Sequence, residues 1–227
     1  FILDKPSVSS RFFEEVEKRN VPVIWIDHHE VEVNINSNNV FYYNPINEKV
    51  KSNEPTSYLV YKITNNKKDM WLAMVGCISD NFLPEFEKDF SKHFPELWKS
   101  NPESAFEILY ESEFGKIITM LDFSLKDTVT NVVSMLNFLF TVNSPSDILI
   151  ESDKNSKILK RYNQIRKIYS ELLDKAMRIA RSSRKIIFFK YGGELSISAD
   201  LANELSYRFP SKVVLVAHDK GTVANIS

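Results

Sequence analysis

At 227 residues, 43% hydrophobic and 26% charged, the chain has the composition of an ordinary globular protein, able to bury one large core or two smaller ones. A formal net charge of -1 excludes a uniformly basic coat for nucleic acid, although the local basic stretch from Lys154 to Arg184 suits a phosphate backbone. The lone cysteine, Cys77, excludes an intramolecular disulfide and suits a reducing compartment; no apolar run reaches membrane-spanning length, and the cytoplasm is the expected location.

In chain order, FILD predicts a short strand ending at Asp4, and the sequence begins there as though already inside an architecture whose upstream part is missing. Val8 to Arg19 predicts a helix. VPVIWI follows as a buried strand, with Pro22 near its start, where a missing N–H does least harm. Asp27, His28 and His29 then stand at the strand's carboxyl end, the edge where α/β sheets collect ligands. Alternation along an extended strand would send the two histidines to opposite faces, one to a metal and the other to substrate or a supporting partner. VFYY predicts a further strand and Thr56 to Thr64 a helix; Met70 to Asp80 reads as a buried helix running to an acidic end, with a strand as the alternative for so short an apolar run. Strands alternating with helices imply a mainly parallel sheet.

From Phe82 to Ser182 apolar residues recur at three- and four-residue spacings, which predicts a largely helical middle whose longest element runs from Ser152 to Arg181. KIIFFKY then reads as strand, Ser198 to Arg208 as helix, KVVLVAH as strand and TVANIS as strand. Gly192-Gly193 and Asp219-Lys220-Gly221 supply the turns. The expected organisation is an α/β first domain over residues 1–81, a helical region over 82–182 and a smaller α/β domain over 183–227.

Asp4, the Asp27-His28-His29 triplet and Asp80 each end an apolar segment. Carboxylates with one or two imidazoles are the donor set of Mn²⁺ or Mg²⁺, with Zn²⁺ as a further candidate, and two such ions would clamp a phosphoryl group. The plainer alternative makes Asp4 and Asp80 helix N-caps and the histidines hydrogen-bonded surface residues.

IDHH after an apolar strand, with LDKPSVS before it and YYNP, EPTSYLVYKI and VGCISD after it in that order, resembles the DHH phosphoesterase superfamily and its RecJ-like nucleases. The terminal YGGELSISADLANELSYRFP and VVLVAHDKGTVANIS are similar to the DHH-associated substrate-binding domain, and the wording most resembles the archaeal RecJ-like proteins related to the replisome-associated nuclease and to the eukaryotic helicase activator. The resemblance implies a partial parallel-sheet DHH domain, a helical middle and an incomplete DHH-associated domain. It makes Asp4 a bridging carboxylate, His28 a metal ligand and Asp80 the last acidic ligand, with Asp27 and His29 supporting or facing substrate. It also makes Asn44 (with Pro45, in a turn near that site) and Ser57 (opening a helix whose N–H groups would help hold an anion) substrate-binding residues, together with Gly192, Gly193, Arg208, Lys212 and Lys220 of the terminal domain.

The family's first motif, an Asp-x-Asp segment, is absent, so a two-ion site needs residues from upstream or from a second chain, and the chain alone is expected to be poorly active. The implied function is a Mn²⁺- or Mg²⁺-dependent exonuclease acting on single-stranded DNA or RNA. The alternatives are hydrolysis of short oligonucleotides or nucleotide phosphoesters, and a non-catalytic replisome scaffold. The scaffold would bind proteins of the GINS kind through a middle rich in aromatics such as Phe94, Trp98, Phe106 and Tyr110.

Overall fold

A computed structural model of the chain describes residues 1–227 as two compact units, 1–109 and 110–227. Both are mixed α/β, and no helix is long and apolar enough to cross a membrane.

The first unit holds β1 (Ile2–Leu3), α1 (Ser10–Arg19), β2 (Val23–Ile26), β3 (Val40–Tyr43), α2 (Thr56–Thr64), α3 (Met70–Ser79) and α4 (Glu87–His93). Its three strands form one parallel sheet in the order β1-β2-β3, with Leu3 beside Ile26 and Ile26 beside Tyr43. Parallel strands need crossovers, and α1 supplies the first: Phe13 and Val16 on its inner face are buried, and the Phe13 ring lies 6.1 Å from that of the fully buried Trp25. Helices α2 and α3 pack closely enough that a Cβ at Gly76 would meet the Ser57 Cβ at 2.5 Å. Farther along, Phe90 and Trp98 pack edge to face with ring centroids 5.1 Å apart, and both are buried, so these aromatics of the expected helical middle serve a core.

Helix α5 (Ala105–Glu111) leads into the second unit, which holds α6 (Glu113–Leu125), α7 (Val129–Leu139), α8 (Ser156–Ser182), β4 (Ile186–Gly192), α9 (Ser198–Arg208), β5 (Val213–Asp219) and β6 (Ala224–Ile226). Strand β4 pairs parallel with β5, which pairs antiparallel with β6. Burial alternates along β4, so Ile187, Phe189 and Tyr191 join Ile165, Tyr169 and Ala176 of α8 and Leu201 and Leu205 of α9 in one core. The helix expected from Ser152 begins at Ser156, because Asn155 turns its side chain back onto the carbonyls of Ile148 (3.2 Å) and Ile150 (2.7 Å).

With five glycines in the chain, left-handed turn positions fall largely to asparagine: Asn20, Asn65, Asn81 and Asn101 all have positive φ, as does Asp4. Asn20 and Asn65 end α1 and α2 in this way, the position where glycine is the usual occupant.

Candidate metal centre

Three segments of the first unit converge at the carboxyl end of β2. The backbone ladder continues one residue past each strand, with the Asp4 amide donating to the Ile26 carbonyl (3.0 Å) and the Asp27 amide to that of Tyr43 (3.1 Å). The chain then leaves the sheet. Asp4 does so through a left-handed conformation, φ 56°, which an aspartate adopts more readily than most residues. The following turn is held by the Trp25 indole donating to the Lys5 carbonyl at 2.9 Å.

His28 Nε2 lies 3.2 Å from Asp4 Oδ1 and 3.8 Å from Asp80 Oδ2, so one imidazole nitrogen faces two carboxylates. The Thr56 hydroxyl donates to the same Asp4 oxygen at 3.4 Å. Donor atoms of Asp4, His28 and His29 all lie within 4.8 Å of one another. Because β2 stops at Ile26, strand alternation does not govern the two histidines. Their rings meet edge to face with centroids 4.7 Å apart, side by side instead of on opposite faces.

Asp27 is fully buried. Its Oδ1 accepts from His29 Nδ1 at 2.8 Å, while Oδ2 has no hydrogen-bond partner, so the buried carboxylate depends on the His29 imidazole. The Asp27 hydrogen bond raises the His29 pKa above the usual imidazole range, burial opposes that, and the charges of Asp27, Asp4 and Asp80 add to the rise. With Nδ1 committed to Asp27, Nε2 is the nitrogen left to meet a ligand.

Asp80 is the C-cap of α3, an end where backbone carbonyls make an acidic side chain electrostatically unfavourable. Burial raises its pKa, with Asp4 adding to the rise and His28 and His29 opposing it. Asn81, at φ 55°, and the Phe82 amide bonded to the Cys77 carbonyl (2.8 Å) close the helix just past Asp80. Asp80 therefore ends a helix instead of capping the start of one.

Among the other sequence-derived candidates, Asn44 is buried and holds the loop, donating to the His29 carbonyl (2.9 Å) and accepting from the Ile46 amide (3.0 Å). Ser57 packs against Gly76, its hydroxyl 3.9 Å from the Cys77 sulfur. In the second unit Arg208 is bonded to Glu204 (2.9 Å through Nε), and the Lys212 ammonium donates to the carbonyls of Ala180 (2.7 Å) and Ser183 (2.9 Å), so both are engaged within that unit. Lys220 is exposed beside Gly221, whose φ is 89°. Gly192 ends β4 beside Asp219, and Gly193, at φ 119°, has its carbonyl 2.7 Å from His218 Nε2. Sequence reading passed over Thr56; its only signal is a hydroxyl directly after Pro55 at a helix start.

The donor set fits a divalent cation of the Mn²⁺ or Mg²⁺ kind. Carboxylate oxygens and an imidazole are appropriate ligands, and two carboxylates crowded at a helix C-terminus are short of positive charge.

No family model matches the chain, and no curated protein matches it. A solved structure to which it is similar is that of RecJ in complex with Mn²⁺ from Thermus thermophilus, with 12% identity and a TM-score of 0.58 over 95% of this chain and 35% of that one. The chain shares that fold while spanning about a third of the length of that protein.

Proposed function

We propose that the chain is part of a divalent-metal-dependent phosphodiesterase of the RecJ-like kind, acting on the end of single-stranded DNA or RNA. The observation that carries this reading is the convergence of Asp4 and Asp80 on His28 Nε2. The RecJ-like fold supports it, as does the order of the surrounding motifs.

Asp4, His28 and Asp80 would hold Mn²⁺ or Mg²⁺. Such an ion supplies neutralisation of phosphoryl charge and a more acidic water. Thr56 keeps the Asp4 carboxylate oriented. Asp27 fixes the His29 ring and holds a proton on Nδ1, and its charge favours the imidazolium, leaving an Nε2–H to donate to a phosphoryl oxygen. The archaeal subtype and the second ion belong to the same proposal.

The test is calorimetric titration of Mn²⁺ into the chain and into His28→Ala, alongside release of nucleotides from end-labelled single strands by the chain supplemented with an Asp-x-Asp-bearing upstream segment. The expected result is Mn²⁺ binding lost in His28→Ala and metal-dependent release lost with it. Undiminished Mn²⁺ binding in His28→Ala would overturn the assignment.

A further inference from the structure

Helix α7 of the second unit is apolar on two opposite sides, and only one of them is covered within that unit. The Thr128 hydroxyl caps the helix, accepting from the Asn131 amide (3.4 Å), and Phe140 prolongs it, its amide bonded to the Leu136 carbonyl (3.3 Å). With about 100° of turn per residue, Asn131, Met135 and Phe138 share the inner side. Met135 is buried and Phe138 half-buried. Asn131 and Met135 line, with Ile158 and Arg161 of α8, a cavity of about 30 Å³.

The opposite side carries Val129, Val133, Leu136 and Phe140, which are 80%, 49%, 46% and 89% exposed. Steps of four, three and four residues keep them in one narrow stripe about 16 Å long, with the spacing of the seam of a two-stranded coiled coil. A single exposed leucine needs no explanation. Four large apolar side chains in register on one helix make a contiguous patch, and such patches mark interaction sites. A helix that is apolar on both sides is stable when both are covered.

Charge narrows what can cover the stripe. Residues 128–146 contain no acidic, basic or histidine residue, in a chain that is 26% charged. A strongly charged partner gains nothing there. Helices that lie on anionic lipid carry lysines and arginines on their polar side, whereas the flank of α7 is Thr130 and Asn137, both exposed. A second copy of this chain meets the requirement. A two-fold contact sets the neutral stripe against itself, and a net charge of -1 gives two copies little long-range repulsion. Antiparallel pairing also brings the positive end of each helix beside the negative end of the other. The outer face of β4 and β5 is apolar too, with Ile186, Phe188 and Val213 exposed, but it carries the Lys190 ammonium, held by Asp219 at 2.7 Å.

We infer that the chain self-associates through α7 as an antiparallel two-fold pair, with Val133 of each copy against Leu136 of the other and Val129 against Phe140. The stripe is short for a protein interface, so the dimer forms in the micromolar range or above.

The test is sedimentation velocity of the full chain across a wide range of protein concentration. It is run for the parent, Leu136→Glu, Val133→Lys, an equimolar mixture of those two variants, and Phe188→Glu. Every substituted side chain is exposed, so circular dichroism should match the parent throughout. The parent is expected to move from the monomer mass toward twice that mass as concentration rises. Each α7 variant should weaken association by about tenfold or more, because it sets an unpaired charge in an apolar contact. The mixture should recover it, since the new lysine of one copy then faces the new glutamate of the other. Phe188→Glu should behave as the parent does. A parent that stays monomeric, assembly beyond the dimer, undiminished association of Leu136→Glu, a mixture that stays monomeric, or an equal loss in Phe188→Glu would each overturn the inference. So would flotation of the parent, but not of Leu136→Glu, with phosphatidylcholine vesicles, which would give the stripe to a lipid surface.

Discussion

Asp27 is buried with one oxygen on His29 and the other on nothing, so its charge is felt mainly at that imidazole. In the metal-free chain, Asp27→Asn should move the His29 titration midpoint downward toward the ordinary imidazole value, read by NMR of the ring protons. An unchanged midpoint would mean that Asp4 and Asp80 dominate. Thr56 makes a second case, since its hydroxyl supports an oxygen that would ligate the ion. Thr56→Val is expected to weaken Mn²⁺ binding about tenfold while the circular dichroism spectrum stays the same. These two residues also mark the limit of sequence reading. The IDHH run announced its chemistry because strand end and donor set coincide in four residues. Thr56 reaches Asp4 across fifty-two positions, and no local pattern encodes that contact.

At the scale of elements, α3 carries one residue of the site and is placed by its contact with α2. Gly76→Ala puts a methyl at 2.5 Å from the Ser57 Cβ, and overpacking of this kind costs about 1–3 kcal/mol. The variant should show that loss in urea titration and weaker Mn²⁺ binding as well, because Asp80 lies one turn beyond; adding Ser57→Gly should restore part of both. A fully stable Gly76→Ala protein would show that the two helices can slide apart freely. MWLAMVGCISD favours a helix but leaves a strand open, and the chain forms the helix; β2, β3, α9 and β5 are legible from their apolar runs and turn residues. The direction in which Asp80 caps its helix is not, since an aspartate beside an apolar run suits either end until the chain's path is known. Lys212, an expected substrate contact of the terminal domain, has its ammonium on carbonyls at the end of α8, about thirty residues upstream. Side chains that close a helix from another segment leave no periodic trace.

At the scale of the whole molecule, stability against pH in the second unit has an identifiable contributor. Burial lifts the Asp200 carboxyl to about 6, against the pull of the Lys126 ammonium. Its folded pKa therefore lies above the unfolded one. The protonated group's stabilisation is complete below about pH 4 and is lost as pH rises through 6. Asp200→Asn should raise the unit's unfolding free energy at pH 7 by about 1–3 kcal/mol, with the difference shrinking on acidification; a lower urea midpoint at pH 7 would refute this. The scarcity of glycine has a consequence of a different kind. Every asparagine that holds a left-handed turn stores a little strain in the native chain, yet it also leaves the denatured ensemble fewer conformations to regain than glycine would. The two effects oppose each other at about 1 kcal/mol or less apiece. Replacing Asn20, Asn65 or Asn101 by glycine, the change local geometry invites, should therefore leave the melting temperature nearly where it was.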